Sequence, residues 1–378
     1  LVLHEVGHTL GLNHNFKGSN LLTYEEIKQK EITFEKGLCS SVMEYPSINF
    51  SLDPDNQGLY YDTVPGAYDH WAIRFAYSEV DAAGLTKILD ESTYPEHAFG
   101  NDADDMRGTG KGMDPDAMIY DLTSDPVSYA IDRMKLVNTI FPELIDKYSK
   151  PGESYQELLD SYYTLMGQYS TSLKIISRQI AGVRVDRSMV GQKTDKQPFT
   201  PVSYLDQKRA MNAIAKYGFA PNAFESAASL YPYLQQQRRG FNTPYGGEDP
   251  KIHEGVLGIQ RLILGQLTNR NVLNRMVNTS LYGNEYELGI YFQDLSNAIF
   301  SADRNSVVNS FRQNLQVAYS NQLIRLAKDK ALNASIHAQV HRQLNKLLKM
   351  MKNSKPSGAS TNAHREYIVF LIEKYFEQ

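Results

Sequence analysis

The sequence predicts a mainly α protein with one short β-hairpin and two regions of different character. Three observations carry this reading. From residue 126 onward, about eight segments repeat apolar residues at helical spacing and are joined by short polar connections. Within that region, Gly182 to Val185 and Phe199 to Val202 are extended runs flanking a polar loop, the pattern of a hairpin. At the start of the chain, His4, Glu5, His8, Gly11 and His14 stand at the spacing of one helix followed by a tight turn.

Taken in order, residues 1 to 80 hold a helix over the first histidines, a loop, a turn at Ser41 to Pro46 and a second helix over Pro65 to Tyr77. The loop carries a short charged helix within Tyr24 to Lys36, such as Tyr24, Glu25, Glu26, Ile27 and Lys28. Residues 81–125 form an irregular, acidic and glycine-rich connection, with Pro95, Gly100, Gly108, Gly110, Gly112 and Pro115. Residues 126–351 form the helical domain. It opens with Ser124 or Asp125 as cap and Pro126 in the first turn. Helices are expected over about 126–141, 153–180, 203–217, 250–268, 269–280, 285–300, 303–331 and 334–352, with the hairpin near 182–202. Residues 352–378 are a flexible linker, rich in Ser, Pro and Gly, and a terminal helix over about 362–377.

The chemistry concentrates in residues 4–14, which match H-E-x-x-H-x-x-G-x-x-H without a mismatch. His4 and His8 share one helix face and can reach one metal, while Gly11 ends the helix in a turn that a Cβ would crowd. His14 returns as the third imidazole. Glu5 follows the first ligand, where its carboxylate can face a water on the metal. Histidine is scarce, 9 of 378 residues. Three at fixed places arise by chance in about one window in 10⁵, so a zinc ligand set is favoured over an amphipathic helix with surface histidines. Leu1, Val2, Leu3, Val6 and Leu10 are apolar, as expected of a helix buried beside a cleft. Zn²⁺ is the expected cofactor.

Composition bounds the alternatives. A length of 378 residues allows two or three domains, and a 42% apolar fraction suffices for ordinary cores. A net charge of −4 gives no general nucleic-acid footprint, and no apolar run is long enough to span a membrane. Cys39 is the only cysteine, so no internal disulfide forms. Asn101, Asp102, Ala103, Asp104 and Asp105 offer oxygens of the kind calcium takes, but without the glycine and distal glutamate of an EF-hand loop; a solvated acidic loop is favoured. His337 and His341 lie four apart with no third ligand nearby and read as a polar helix face. The 25 tyrosines stand mostly at helical spacing and read as packing.

Ser41, Val42, Met43, Glu44, Tyr45 and Pro46 begin 27 residues after His14. With this second element the chain resembles the metzincin clan of zinc endopeptidases, in which a methionine-containing turn lies beneath the zinc. The resemblance assigns that turn to Met43, a soft and polarizable floor. It also implies a switch or fifth-ligand role for Tyr45, whose phenol can donate to a developing oxyanion; a packed tyrosine with a locally satisfied hydroxyl is the alternative. Asp69, Ala72, Ile73 and Tyr77 resemble the clan's closing helix, with Ala72, Ile73, Ala76 and Tyr77 packing under the site. His70 in that helix is rejected as a further ligand, because catalytic zinc keeps one position open.

Two positions depart from the familiar branches. Glu44 stands where astacin-like and serralysin-like branches commonly carry histidine, and Asn15 after the third ligand matches none of them. The chain looks most like the large, zinc-dependent metalloproteases of Bacteroidetes, through Gly11 to Ser19, Ser41 to Phe50, Asp121 to Pro126 and Pro198 to Val202. That resemblance implies the C-terminal half of a metzincin catalytic domain followed by an all-α domain. It implies a fragment beginning at the zinc helix, without the N-terminal half whose sheet edge binds extended peptide. It further implies a peptide or protein substrate, the absent half as partner, and residence outside the cytoplasm. The function expected is endopeptidase chemistry by a zinc-bound water with Glu5 as general base, the fragment alone being weak or inactive. The alternative is a zinc-binding, non-catalytic chain whose helical region is an interaction module.

Overall fold

A computed structural model describes residues 1–105, 108–237 and 248–378. Residues 106–107 of the expected irregular connection, and 238–247 of the expected helical domain, lie outside the described residues. The chain is mainly α with a single two-stranded sheet among the described residues, and it divides into two compact units.

The first unit comprises Leu1–Arg133 and Gly182–Val202. Its helices are α1 (Val2–Thr9), α2 (Lys30–Lys36), α3 (Ala67–Tyr77), α4 (Ala82–Asp90) and α5 (Asp102–Asp105), and it includes the start of α6 (Pro126–Ile140). Helix α4 falls inside the stretch expected to be irregular; Asp81 caps it by accepting from Gly84 N at 2.8 Å. Helix α1 ends as a Schellman motif. Gly11 adopts φ +86°, Gly11 N–H donates to His8 O at 3.0 Å and Leu12 N–H to Gly7 O at 3.0 Å. A Cβ at Gly11 would meet nothing within 4 Å. The glycine is therefore required by backbone conformation and not, as the sequence reading held, by crowding.

The apolar core of this unit gathers Leu22, Ile27, Leu38, Cys39, Leu122 and Tyr129. Strands β1 (Val183–Val185) and β2 (Phe199–Pro201) form the expected hairpin, antiparallel with Val183 opposite Pro201. The hairpin groups with this unit and not with the helices around it in sequence. Its backbone is satisfied here: Val183 N–H donates to Met113 O at 2.8 Å and Val185 N–H to an Asp114 carboxylate oxygen at 3.0 Å.

The second unit comprises Met134–Ala181 and Ser203–Gln378. It carries the remainder of α6, then α7 (Leu144–Tyr148), α8 (Gln156–Arg178), α9 (Tyr204–Ile214), α10 (Ile252–Leu267), α11 (Arg270–Thr279), α12 (Leu288–Phe300), α13 (Ser310–Lys328), α14 (Ala334–Lys352) and α15 (Ala359–Phe376). Helix α8 packs on α9 and α10, and α13 packs on α10, α14 and α15. Leu173, Ile263, Leu264, Leu315 and Leu344 are buried on these helices. Helix α13 starts at Ser310 and not near 303, because Asn309 caps it, accepting from Arg312 N at 2.9 Å. Buried tyrosines donate to helix-end carbonyls, as Tyr291 does to Leu267 O at 2.6 Å, consistent with packing. Among the described residues no helix is long and apolar enough to cross a membrane.

Candidate metal centre

His4 and His8 lie on one face of α1, and the turn after Gly11 brings His14 back to them. Ring centroids are 4.8 Å apart for His4 and His8, 4.9 Å for His8 and His14, and 5.3 Å for His4 and His14. One ring nitrogen of each lies within 4.8 Å of the others. Among the described residues no other set of three His, Cys, Asp or Glu side chains gathers in this way.

The outer nitrogens are all engaged. His4 Nδ1 meets Val42 O at 2.7 Å, His8 Nδ1 meets Leu12 O at 2.9 Å and His14 Nδ1 meets an Asp102 carboxylate oxygen at 2.6 Å. Carbonyls and carboxylates only accept, so each Nδ1 carries a proton, and in the neutral ring Nε2 is the nitrogen left to bind a metal. His4 Nε2 is buried and has no hydrogen-bond partner. Burial, opposed by the bond to Val42, lowers the His4 imidazole below its ordinary range and keeps the ring neutral. An orphaned, buried imidazole nitrogen amid two further imidazoles is a set that fits zinc. Tetrahedral Zn–N bonds of about 2.1 Å need nitrogens roughly 3.4 Å apart, within reach of small side-chain rotations.

Tyr45 stands inside the cluster. Its ring stacks on His4 at 4.8 Å, and its hydroxyl donates to His14 Nε2 at 3.1 Å. Met43 is fully buried in a turn directly under α1, and a Cβ at Gly7 would lie 2.3 Å from its sulfur. The turn is fixed from α3. The buried Asp69 carboxylate accepts from Ser41 Oγ at 2.6 Å, Val42 N at 2.8 Å and Gly66 N at 2.8 Å. Glu44 ties the turn to the segment after His14, accepting from Ser19 N at 3.1 Å and Tyr45 N at 2.9 Å. Burial, and then the neighbouring Asp121 carboxylate, push the Glu44 carboxyl well above the usual carboxylate range. Asn15 donates its backbone N–H to Met43 O at 3.0 Å.

Other expectations fare differently. Glu5 is exposed on α1, beside His4 in sequence and close enough to act on its charge. Leu1, Val2, Leu3, Val6 and Leu10 are exposed, not buried, because the described residues pack only the His4 and Gly7 face of α1. In α3, Ala72 is buried, but Ala76 and Tyr77 are exposed; the Tyr77 hydroxyl donates to Leu10 O, at the end of α1, at 3.1 Å. His70 is exposed. The acidic loop does not converge: Asp102 turns to His14, while Asp104 pairs with Arg187. His337 meets Asp329 O at 2.8 Å and His341 faces Phe376, so these two rings have separate partners. A cleft of about 540 Å³ between the 92–99 segment and the hairpin is lined by Trp71 and Arg184 but by none of the three clustered histidines.

Sequence reasoning passed over Gly7 and Asp121 as site residues, and weighed Asp102 for calcium but not as a partner of His14. Gly7 sits at a variable position of the motif, and its small size carries meaning only against Met43. Asp102 and Asp121 are far along the chain, and no spacing rule connects them to His14 or Glu44.

A helix and the turn after it bring three imidazoles together above a buried methionine, the kind of site a metzincin-type metalloprotease domain family carries. The family model described as Met-zincin matches residues 1–306, and the chain belongs to that family. No curated protein and no solved structure matches it.

Proposed function

We propose that the chain is a zinc-dependent endopeptidase in which His4, His8 and His14 hold the metal. The observation that carries this is the convergence of three imidazoles with every Nδ1 engaged elsewhere and His4 Nε2 buried without a partner. Zinc, when bound, supplies Lewis-acid polarisation of the scissile carbonyl and acidifies a coordinated water. Glu5 takes the proton of the attacking water and passes it to the leaving amine. The Tyr45 hydroxyl, already at the inner nitrogen of His14, donates to the oxyanion as it develops. Met43 and Gly7 set the height of α1 over the turn.

The substrate is an extended peptide or protein segment, bound with help from a partner segment of the catalytic domain. The exposed apolar residues Val2, Leu3 and Val6 support such a partner. Residence outside the cytoplasm belongs to the same proposal and rests on the family alone.

Glu5→Ala is expected to keep stoichiometric zinc and to lose at least about 10²-fold in peptide turnover. Turnover equal to wild type would remove Glu5 from the base role. A rival reading, zinc binding without catalysis and a helical interaction module, is favoured by the exposure of α1. Zinc content combined with casein cleavage separates the two, since the rival predicts metal without cleavage.

A further inference from the structure

We infer that Asp102 is the positioning residue of His14: its carboxylate fixes the tautomer and direction of the third imidazole, and Asn15 holds the strap that delivers it. The inference rests on the zinc reading above. His4 and His8 are held by the helix that carries them. His14 lies beyond the Gly11 turn and has no such support. Its outer nitrogen meets a carboxylate where the other two meet carbonyls, at 2.6 Å and across 88 residues of sequence. A charge-assisted bond of this kind orients the ring and keeps the proton on its outer nitrogen.

The strap that brings Asp102 is laced to the residues directly after His14. Asn15, fully buried, donates through Nδ2 to Ala98 O at 3.0 Å and accepts from Gly100 N at 3.2 Å. Phe16 N–H donates to Gly100 O at 2.6 Å. Asn101 Oδ1 accepts from Ala103 N at 2.9 Å, and Asp104 is ion-paired with Arg187 of the hairpin loop. Asp102 thus arrives in a fixed register two residues beyond the last lacing bond. This gives Asn15, one of the two residues that depart from the familiar branches, a physical task. The Asp102 side chain is 57% exposed. An exposed pair contributes little to folding, so its consequence is expected at the metal.

The test compares wild type, Asp102→Asn and Asp102→Ala in this chain. Three quantities are read: zinc affinity by competition with a chromogenic chelator, the visible ligand-field bands of the Co²⁺-substituted chain, and the unfolding midpoint of the metal-free chain. Asp102→Ala is expected to weaken zinc binding about 10- to 100-fold and to shift the cobalt bands, with the metal-free midpoint unchanged. Asp102→Asn keeps an acceptor oxygen without the charge and should fall between. Wild-type affinity and cobalt spectrum in Asp102→Ala overturn the inference and leave the zinc reading standing. An affinity loss matched by a lower metal-free midpoint also overturns it, by assigning Asp102 a merely structural part. Failure of wild type to bind zinc, with His4→Ala indistinguishable from it, overturns both.

Discussion

At Gly7 a Cβ would lie 2.3 Å from the sulfur of the fully buried Met43, so this position decides how closely α1 approaches the turn beneath it. Two effects compete in Gly7→Ala. Alanine favours helix by about 1 kcal/mol, whereas overpacking a filled site costs about 1–3 kcal/mol. Near the end of an eight-residue helix the propensity gain shrinks, and packing wins. Urea unfolding should show Gly7→Ala destabilised by about 1–2 kcal/mol. In a Met43→Ala background the same change should become neutral or stabilising; an effect independent of Met43 would remove this account. The clustering of the three histidines and the turn at Gly11 were legible from spacing, because a helix and its C-terminal turn translate sequence interval directly into direction. The meaning of Gly7 was not, since an absent side chain signals only against the atom that approaches it. Asp102 was visible as an acidic residue and was weighed for calcium; its partner, 88 residues away, was not.

Helix α3 acts on the site through Asp69. The sequence placed Asp69 on this helix by its likeness to a closing helix, but not what its carboxylate does. It sits in the first turn of α3, where a negative charge is favoured, and collects two backbone N–H groups and a hydroxyl from Ser41, Val42 and Gly66. Val42 in turn accepts from His4 Nδ1. Asp69→Ala leaves buried donors unsatisfied and is expected to cost about 2–4 kcal/mol. It should also weaken zinc binding, by freeing the carbonyl that orients His4. Chemical denaturation and chelator competition measure the two effects; a stability loss without any change in zinc affinity would confine α3 to a scaffolding part. Other elements were legible to different degrees. Helix α14 appears at the expected bounds because Asn333 caps a strongly amphipathic run. The hairpin was legible from two short extended runs around a polar loop, but its unit was not, because strand pattern says nothing about which loop will satisfy Val183 and Val185.

Across the whole chain, the family match ends at residue 306, within the second unit. Helices α13 and α15 supply the rest of a buried polar network there. Arg312 donates to the Asp303 carboxylate at 2.5 Å and to the carbonyls of Phe219 and Ile299. Gln316 bridges Asp303 and His364 at 3.0 and 2.8 Å. Burial, aided by the Arg365 charge, lowers His364 from 6.5 to about 4. The folded state thus binds fewer protons than the unfolded state between these values. The stability from a neutral His364 is complete above pH 6.5 and is lost as pH falls toward about 4. The span corresponds to about 3 kcal/mol. Thermal midpoints of wild type should therefore fall more steeply than those of His364→Gln as pH drops from 6.5 to 4.5, and parallel curves would refute it. By itself the sequence determined the helical class, the hairpin and the identity of the clustered histidines, because local periodicity and short-range spacing are set within a few turns of chain. Only the tertiary structure decided which carboxylate meets His14, what lies under Gly7, where the hairpin docks and which face of α1 is left in solvent. Those depend on contacts between residues tens of positions apart, and chain separation carries no signal of closeness until the backbone has folded.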